Sequence, residues 1–465
     1  MNILVDRYFE GLRGKRIAVL GIGVSNRPLI RMLLKYGLQV TACDKIEREA
    51  LDEEVLILER DGAELRLGSS YLDGLCTDVV FRTPGMHPNI PALCALRETG
   101  AVITSEMEVF FAVCPCPIIA VTGSDGKTTT TTLIAEILKR AGHRVWIGGN
   151  IGQPLLPMAS EMTPADIAVV ELSSFQLMHM KQSPHIAVVT NLAPNHLDMH
   201  RDMAEYVEAK ENIYLHQRAD DKLILNLDND ITASFGEKAK GDVEYFSRTK
   251  KPEKGVCFYD GIVWRNGKPV MKSTDIAIPG VHNVENYMAA MAATEGLATD
   301  EDVRQTARNF GGVEHRIELV RTLNGVRYYN DSIASSPSRT IAGLHAFDRK
   351  VILIAGGYDK QIPFDVLGPE IVTHVKALIL CGHTAEKIRN AVLQTPGYDA
   401  EALPILLTDS LADAVMQAQH LAKPGDIVTL SPACAAFDQF KNFMVRGDTY
   451  KALVMALGEE TDDAE

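Results

Sequence analysis

Ile118-Ile-Ala-Val-Thr-Gly123-Ser-Asp-Gly126-Lys127-Thr128-Thr-Thr is the stretch from which the rest of the chain is read. Four apolar residues, Ile118 to Val121, predict a buried strand. A loop of small residues follows, then Gly-Lys-Thr and a helix-competent run from Leu133 to Arg140. Strand, phosphate loop and helix is an order in which a backbone can wrap an anion. Glycines let successive N–H groups turn inward, and the N-terminus of the next helix adds the positive end of its dipole. In such a loop Lys127 reaches the β- and γ-phosphates of a nucleoside triphosphate and the Thr128 hydroxyl faces Mg²⁺. Gly123, Ser124, Asp125, Gly126 and Thr129 make up the remainder of the cradle. The longer form of the pattern carries a glycine five residues before Gly126. Val121 stands there, so this is the compact Gly-x-x-Gly-Lys-Thr variant.

Around that loop, 465 residues predict about three domains. Hydrophobic residues are 46% and charged residues 23% of the chain, an ordinary globular balance. A net charge of −14 argues against a general nucleic-acid binder. The eight cysteines are scattered, and Cys114-Pro-Cys116 has no second pair at metal-ligand spacing. Reduced thiols and a cytoplasmic location are the expectation. No apolar run approaches the length of a membrane span, and residues 1–10 carry no signal pattern. The acidic run 459–465 reads as a disordered acidic tail.

The first third holds a βαβ unit. Arg16-Ile-Ala-Val-Leu20 is a strand, Gly21-Ile-Gly23 a tight turn, and a helix with Pro28 near its start runs to Tyr36. A second strand ends in Asp44. A dinucleotide fingerprint would place a third glycine where Asn26 stands, which disfavours a nicotinamide or flavin site. The same turn suits the diphosphate of another nucleotide, with Asp44 on a sugar or base. A further strand, Asp78 to Phe81, leads to Thr83-Pro-Gly85, again at a carboxyl end where open α/β sheets bind ligands.

The middle third repeats the pattern. Apolar runs at Arg144–Ile147, Ile167–Val170, Ile186–Thr190 and Leu223–Leu227, separated by helical or loop segments, predict a mostly parallel sheet. Three end in polar clusters: Gly148-Gly-Asn150, Glu171-Leu-Ser-Ser-Phe-Gln176, and Asn191 through His196-Leu-Asp198. In a parallel sheet these ends share an edge with the loop at Gly123. Glu171 is then an oxygen ligand for Mg²⁺ beside Thr128. Spacing alone leaves His196 either a ligand or a surface residue. Tyr206 and Lys210 share a helix face, and nothing in that spacing separates Lys210 from an exposed helix lysine. Turns at Asp260-Gly261 and Asn266-Gly267 predict antiparallel hairpins over 255–270. Gly280-Val-His-Asn283-Val-Glu-Asn286 opens a helix expected over Tyr287–Glu295, and the amides of Asn283 and Asn286 suit a base or a phosphate.

Taken in order, Thr122-Gly-Ser-Asp-Gly-Lys-Thr128, Glu171-Leu-Ser-Ser-Phe-Gln176, His196-Leu-Asp198, Tyr206-x-x-x-Lys210 and Gly280-x-His-Asn-x-x-Asn286 resemble the ATP-dependent Mur ligases. Folylpolyglutamate synthases share that central domain. The resemblance implies ATP and two Mg²⁺ ions, one on Thr128 and Glu171 and one near His196, with Lys210 carbamylated to face metal. It places Arg316, just after Gly311-Gly312, on the ATP phosphates, with Asp331 also at the nucleotide. Lys127, Lys210, His196 and Arg316 become the catalytic set. Asp125 departs from the family, where Asn is usual.

The run Ser431-Pro-Ala-Cys434-Ala-Ala-Phe-Asp438-Gln-Phe440, with Phe443 and Arg446-Gly447, looks like the D-glutamate-adding branch. The Asp-Asn-Pro-Arg signature of the diaminopimelate- and lysine-adding branches is absent from the sequence. The resemblance makes UDP-N-acetylmuramoyl-L-alanine and D-glutamate the substrates. On that resemblance Gly21, Gly23, Asp44, Thr83 and Gly85 are expected to hold the UDP end, Asn150 the muramoyl portion, and Ser335, Lys360 and Phe443 the amino acid. Ile333 and Ala436 stand where relatives often carry Lys and Ser.

The expected architecture is α/β in three domains: a Rossmann-like domain over 1–113, a central P-loop ATPase domain with a mostly parallel sheet over 114–313, and a Rossmann-like domain with an acidic tail over 314–465. A monomer without nucleic-acid partner or membrane span is expected. A folate-directed ligase, a nucleotide-gated binding module and a dehydrogenase are the competing readings.

Overall fold

The computed structural model describes residues 3–23, 25–194, 200–278, 280–359 and 362–458. His196, Lys360 and the acidic run 459–465 lie outside the described residues. The chain forms two compact units, Met1–Asp275 with Val284–Ala307, and Ile276–Asn283 with Arg308–Glu465.

The first unit contains two sheets. Strands β1 (Ile17–Leu20), β2 (Val40–Asp44), β3 (Glu64–Leu67), β4 (Val79–Arg82) and β5 (Val102–Thr104) lie in the order β3-β2-β1-β4-β5, all parallel. The chain reverses its direction of travel at β1, so Gly21, next after β1, occupies the switch point where such sheets bind ligands. Strand β1 is buried along its whole length, as a strand covered on both faces must be.

The second sheet comprises β6 (Ile118–Thr122), β7 (Val145–Gly149), β8 (Ile167–Glu171), β9 (Ile186–Val189), β10 (Lys222–Asn226), β11 (Asp242–Ser247), β12 (Gly255–Tyr259), β13 (Ile262–Arg265) and β14 (Lys268–Lys272). Its order is β14-β13-β12-β11-β10-β9-β6-β8-β7. Pairing is parallel from β7 through β12, and the β12-β13-β14 hairpins are antiparallel, as their Asp-Gly and Asn-Gly turns require. Strand β6 lies between β8 and β9, so the phosphate loop leaves from a second switch point. The helix after it spans Lys127–Arg140 rather than starting near Leu133, because Gly126 at φ 76° ends the loop and caps the helix. The helix expected over Tyr287–Glu295 spans His282–Ala293.

The second unit is built on β15 (Glu318–Leu323), β16 (Val326–Asn330), β17 (Val351–Ala355), β18 (Val375–Leu380), β19 (Ile405–Leu407) and β20 (Ile427–Leu430). The order is β15-β16-β20-β17-β18-β19, parallel except for the β15–β16 hairpin. The ends of β16, β20 and β17 are neighbours and deliver Asp331, Ser431 and Gly356 to one edge. The fold is therefore α/β with parallel-dominated sheets, as expected. No helix among the described residues is long and apolar enough to cross a membrane.

Candidate active site

The phosphate loop is held open by residues that arrive from β9 and from the helix at Met203–Glu211. Asn191 accepts the Ser124 N–H on its carbonyl and the Asp125 N–H on its side-chain oxygen, both at 2.9 Å. Thr190 donates to the Asp125 carbonyl at 2.6 Å. The Ser124 hydroxyl spans the Ala193 carbonyl at 2.9 Å and the Tyr206 hydroxyl at 3.0 Å. Gly123 at φ 151° and Gly126 at φ 76° occupy backbone regions that a side chain rarely adopts. A Cβ on Gly126 would also strike the Asn286 side-chain oxygen, which accepts from Thr130 at 3.2 Å. The Asp125 side chain itself is exposed, so the carboxylate that departs from the family pattern points to solvent while its backbone is fixed.

At the lip of this loop Thr128 Oγ1 donates to Glu171 Oε2 at 2.7 Å, and the Asn150 amide donates to Glu171 Oε1 at 2.8 Å. Glu171 is 1% exposed and ends β8, beside the loop in register. A hydroxyl and a carboxylate converging at one point are the hard oxygen donors Mg²⁺ prefers, so these residues fit that ion. Lys127 Nζ folds back on the Ser124 carbonyl at 2.9 Å. Thr129, next along the same helix, is half-buried.

Lys210 is the unusual member. It is 1% exposed, and its ammonium nitrogen donates to Thr122 Oγ1 at 3.0 Å and to the Gly123 carbonyl at 2.9 Å, both neutral. Nζ also sits 4.9 Å from the centre of the Tyr206 ring. Burial, with Lys127 adding repulsion and Glu171 only partly opposing, holds the Lys210 amine well below the usual lysine range. The helix pairing read from spacing thus places a desolvated amine, easier to deprotonate than an exposed lysine, directly beneath this loop.

His200 was not singled out from the sequence. It is buried, meets Ser174 at 2.8 Å, stacks on Phe175 at 5.1 Å and 7°, and meets Tyr206 edge-on at 5.3 Å. Arg82 was also missed. Its guanidinium is buried and donates to the Phe175 carbonyl at 3.0 Å and the Met86 carbonyl at 3.1 Å, tying the Thr83–Gly85 turn to the Glu171 loop. An Arg at the end of an otherwise apolar strand run was the available signal.

In the first sheet, Gly21 has φ 88°, and a Cβ there would approach Thr83 Cγ2 at 2.9 Å. Asn26 fills the place of the missing glycine by donating to the Leu20 and Gly21 carbonyls at 3.2 and 2.9 Å. Asp44 accepts the Ile22 N–H at 2.6 Å and the Ile46 N–H at 3.2 Å. Its first duty is thus to close the turn after β1. Gly23 and Gly85 leave open space beside their backbone.

In the second unit, Asp331 is buried and accepts from Ser431 at 2.7 Å and from the Ile317 N–H at 3.3 Å. Burial pushes its carboxyl up to about 7 against the pull of Ser431 and Arg316. Arg316 lies between His315 (φ 63°) and Ile317 (φ 45°). Left-handed geometry is costly for a β-branched residue, and such strain gathers at functional segments. His315 is held by Asn330 at 3.0 Å. Arg446, also buried, donates to Ser332 Oγ and to the carbonyls of Ser332, Cys434 and Ala435 at 2.9 to 3.1 Å. It fastens the Asp331–Ser335 segment to the Ser431–Ala436 loop. Phe443 opens a helix, its carbonyl accepts from Ser332 at 2.8 Å, and its ring meets His315 edge-on. Ser335 is half-buried in the turn before the Pro337–Leu344 helix, and Asn283 is buried at the start of the His282–Ala293 helix.

Comparison with known proteins identifies the family. The Mur ligase middle domain matches residues 121–294, and the Mur ligase glutamate ligase domain matches 315–434. The UDP-N-acetylmuramoylalanine–D-glutamate ligase of Acetivibrio thermocellus is 51% identical over 98% of this chain and 100% of its own. The protein of that name from Clostridium botulinum strain Alaska E43 is 50% identical over 97% and 99%. Among solved structures, the UDP-N-acetylmuramate–alanine ligase of Thermotoga maritima shares the fold at TM-score 0.58 and 17% identity, covering 95% of this chain and 99% of its own. With loop, strand-end cluster and full-length relatives in agreement, the chain belongs to the Mur ligase family.

Proposed function

We propose that this chain is an ATP-dependent ligase that joins D-glutamate to UDP-N-acetylmuramoyl-L-alanine, a cytoplasmic step of peptidoglycan precursor synthesis. The carrying observation is the similarity over 97–98% of the chain to relatives named for that reaction. The paired oxygens of Thr128 and Glu171, with the Asn150 amide donating to Glu171, support the phosphoryl-transfer half beside this loop.

A carboxylate is a poor electrophile. Transfer of the γ-phosphoryl group from ATP to the alanyl carboxylate gives an acyl phosphate with a good leaving group. The D-glutamate amine adds to that carbonyl, and the tetrahedral adduct expels phosphate to leave the amide. Lys127 and Arg316 offset charge on the phosphoryl oxygens, and the loop N–H groups, with Thr129, Asn283, Asn286 and Asp331, position the nucleotide. Mg²⁺ held by Thr128 and Glu171 supplies further charge neutralisation when bound. A second Mg²⁺ near His196 belongs to the same reading.

Burial makes the neutral form of the Lys210 amine, the form that attacks CO₂, easier to reach. An N–C bond forms, a proton leaves, and the resulting carbamate carries an anionic oxygen pair beneath the loop. Gly21, Gly23, Asp44, Thr83 and Gly85 take the UDP end, Asn150 the muramoyl part, and Ser335, Lys360 and Phe443 D-glutamate. Domains over 1–113, 114–313 and 314–465, acting as a monomer, divide these tasks.

Phosphate release should require both UDP-N-acetylmuramoyl-L-alanine and D-glutamate, and hydroxylamine should trap a hydroxamate. Equal rates with L-glutamate, or none with either isomer, would sink the proposal.

A further inference from the structure

We infer that His345, Glu370 and His374 form a binding site for a single Zn²⁺-class ion at the amino-terminal edge of the six-stranded sheet. Glu370 and His374 are four residues apart on the helix Leu367–His374, so they share a face. His345 ends the neighbouring helix Pro337–Leu344, which packs beside it. His345 Nε2 lies 2.7 Å and His374 Nε2 3.5 Å from the same oxygen, Glu370 Oε2. All three donor atoms fall within 4.8 Å of one another.

The two spacings to Glu370 are close to what a tetrahedral ion needs. Zn–N and Zn–O bonds of about 2.0–2.2 Å put neighbouring donors roughly 3.3–3.5 Å apart. The His374–Glu370 distance already matches, and the His345–Glu370 distance matches after opening by less than an ångström. Two imidazoles and one carboxylate form a mixed nitrogen–oxygen set that leaves a fourth position for water. Mg²⁺ and Ca²⁺ prefer more oxygen donors than this cluster offers. A plain ion pair needs only one imidazole, whereas here two rings, 4.8 Å apart at 56°, converge on one carboxylate oxygen. The other convergent set among the described residues, Glu314, His315 and Asp448, already has a cation in Lys451, which pairs with Glu314 and lies 3.3 Å from Asp448.

Topology separates this cluster from the edge that carries Asp331 and Ser431. The helix Pro337–Leu344 leaves the carboxyl end of β16 and runs back along the sheet, so His345 reaches the opposite edge. His374 immediately precedes β18 and lies at that same edge. An ion there joins two helix ends to the start of a core strand. Its role is to brace the second unit, and it takes no part in ligation.

The full-length protein, stripped with EDTA and re-equilibrated with millimolar Mg²⁺, should retain one equivalent of Zn²⁺ on micromolar titration, with a higher Tm. Co²⁺ in its place should give the visible absorption of tetrahedral coordination. His345→Ala/His374→Ala should lower bound Zn²⁺ by one equivalent and remove the Tm rise. The single variants His345→Asn and His374→Asn, both at solvent-accessible positions, provide the same readout if the double variant misfolds. Zn²⁺ stoichiometry and Tm response unchanged in these variants, or no Zn²⁺ retained by the unsubstituted protein, would overturn the assignment.

Discussion

Lys210 beneath the phosphate loop and Arg446 behind the Ser431–Ala436 loop are both buried cations that donate only to neutral oxygens. Their fates differ because their chemistry differs. Burial takes Lys210 well below its usual range, so the amine can shed its proton and react. Burial lowers Arg446 only to about 10, so it stays charged at neutral pH and spends its fixed fork on four acceptors. One buried cation is available for chemistry, and the other fixes the relative position of two loops. Desolvation alone therefore does not mark a reactive group: the side chain must also be able to give up its charge.

Substitution at Lys210 should have the largest effect. Lys210→Met should cut ligation by about 100- to 1,000-fold, the usual cost of removing one preorganised charge. In the uncarbamylated protein it should also change the pH dependence of stability. With the folded value below the unfolded one, the unfolded chain holds an extra proton between the two, and stability rises with pH across that window. Methionine removes that slope. A Met variant that ligates normally, or that keeps the parent's slope of stability with pH, would break the comparison.

Arg446→Met should cost about 4 kcal/mol in urea unfolding, because several buried acceptors lose their donor. Arg446→Lys should recover only part of this, since an ammonium cannot reproduce the fork, and KM for D-glutamate should rise more than kcat falls. Full recovery by lysine would show that charge, not geometry, is what the two loops need.

Glu106 extends the contrast to an acid. It is buried, accepts the Leu156 N–H at 2.6 Å, and is pushed from 4.5 up to about 7 by burial. Between those values the folded chain holds the extra proton, so stability falls as pH rises from 4.5 to 7, by up to ~3 kcal/mol. Glu106→Gln should flatten that part of the pH–stability curve. A slope equal to the parent's would remove Glu106 as its source.

The smallest effect belongs to Asp125→Asn, which should alter stability by no more than ~0.5 kcal/mol and leave KM for ATP nearly unchanged. The loop is held through the Asp125 backbone, and its carboxylate is exposed. A large gain in ATP affinity would show that the acid does face the phosphates.

Much of the frame was legible because strand, small-residue loop and helix are local patterns. The apolar runs at Ile118, Ile167 and Ile186 and the hairpin turns at Asp260-Gly261 and Asn266-Gly267 all appear where expected. Strand β11 was hidden because its sequence is interrupted by Glu244, which is buried and paired with Lys222 at 2.9 Å. Strands β3 and β5 escaped notice as short edge strands with partly exposed side chains. Arg82 and His200 were overlooked because their partners, Phe175 and Ser174, are remote in sequence and meet them only through the packing of the first unit.

Composition, motif order and spacing were enough to establish the α/β class, the strand–loop–helix order around Gly123 and the family, since each depends on residues close together along the chain. They could not say that burial lowers the Lys210 amine, that burial pushes Asp331 up to about 7, that Asn191 and Thr190 hold the Gly123–Thr128 loop, or that His345 and His374 share a carboxylate. Protonation and positioning depend on the desolvation and hydrogen bonds contributed by segments that only folding brings together.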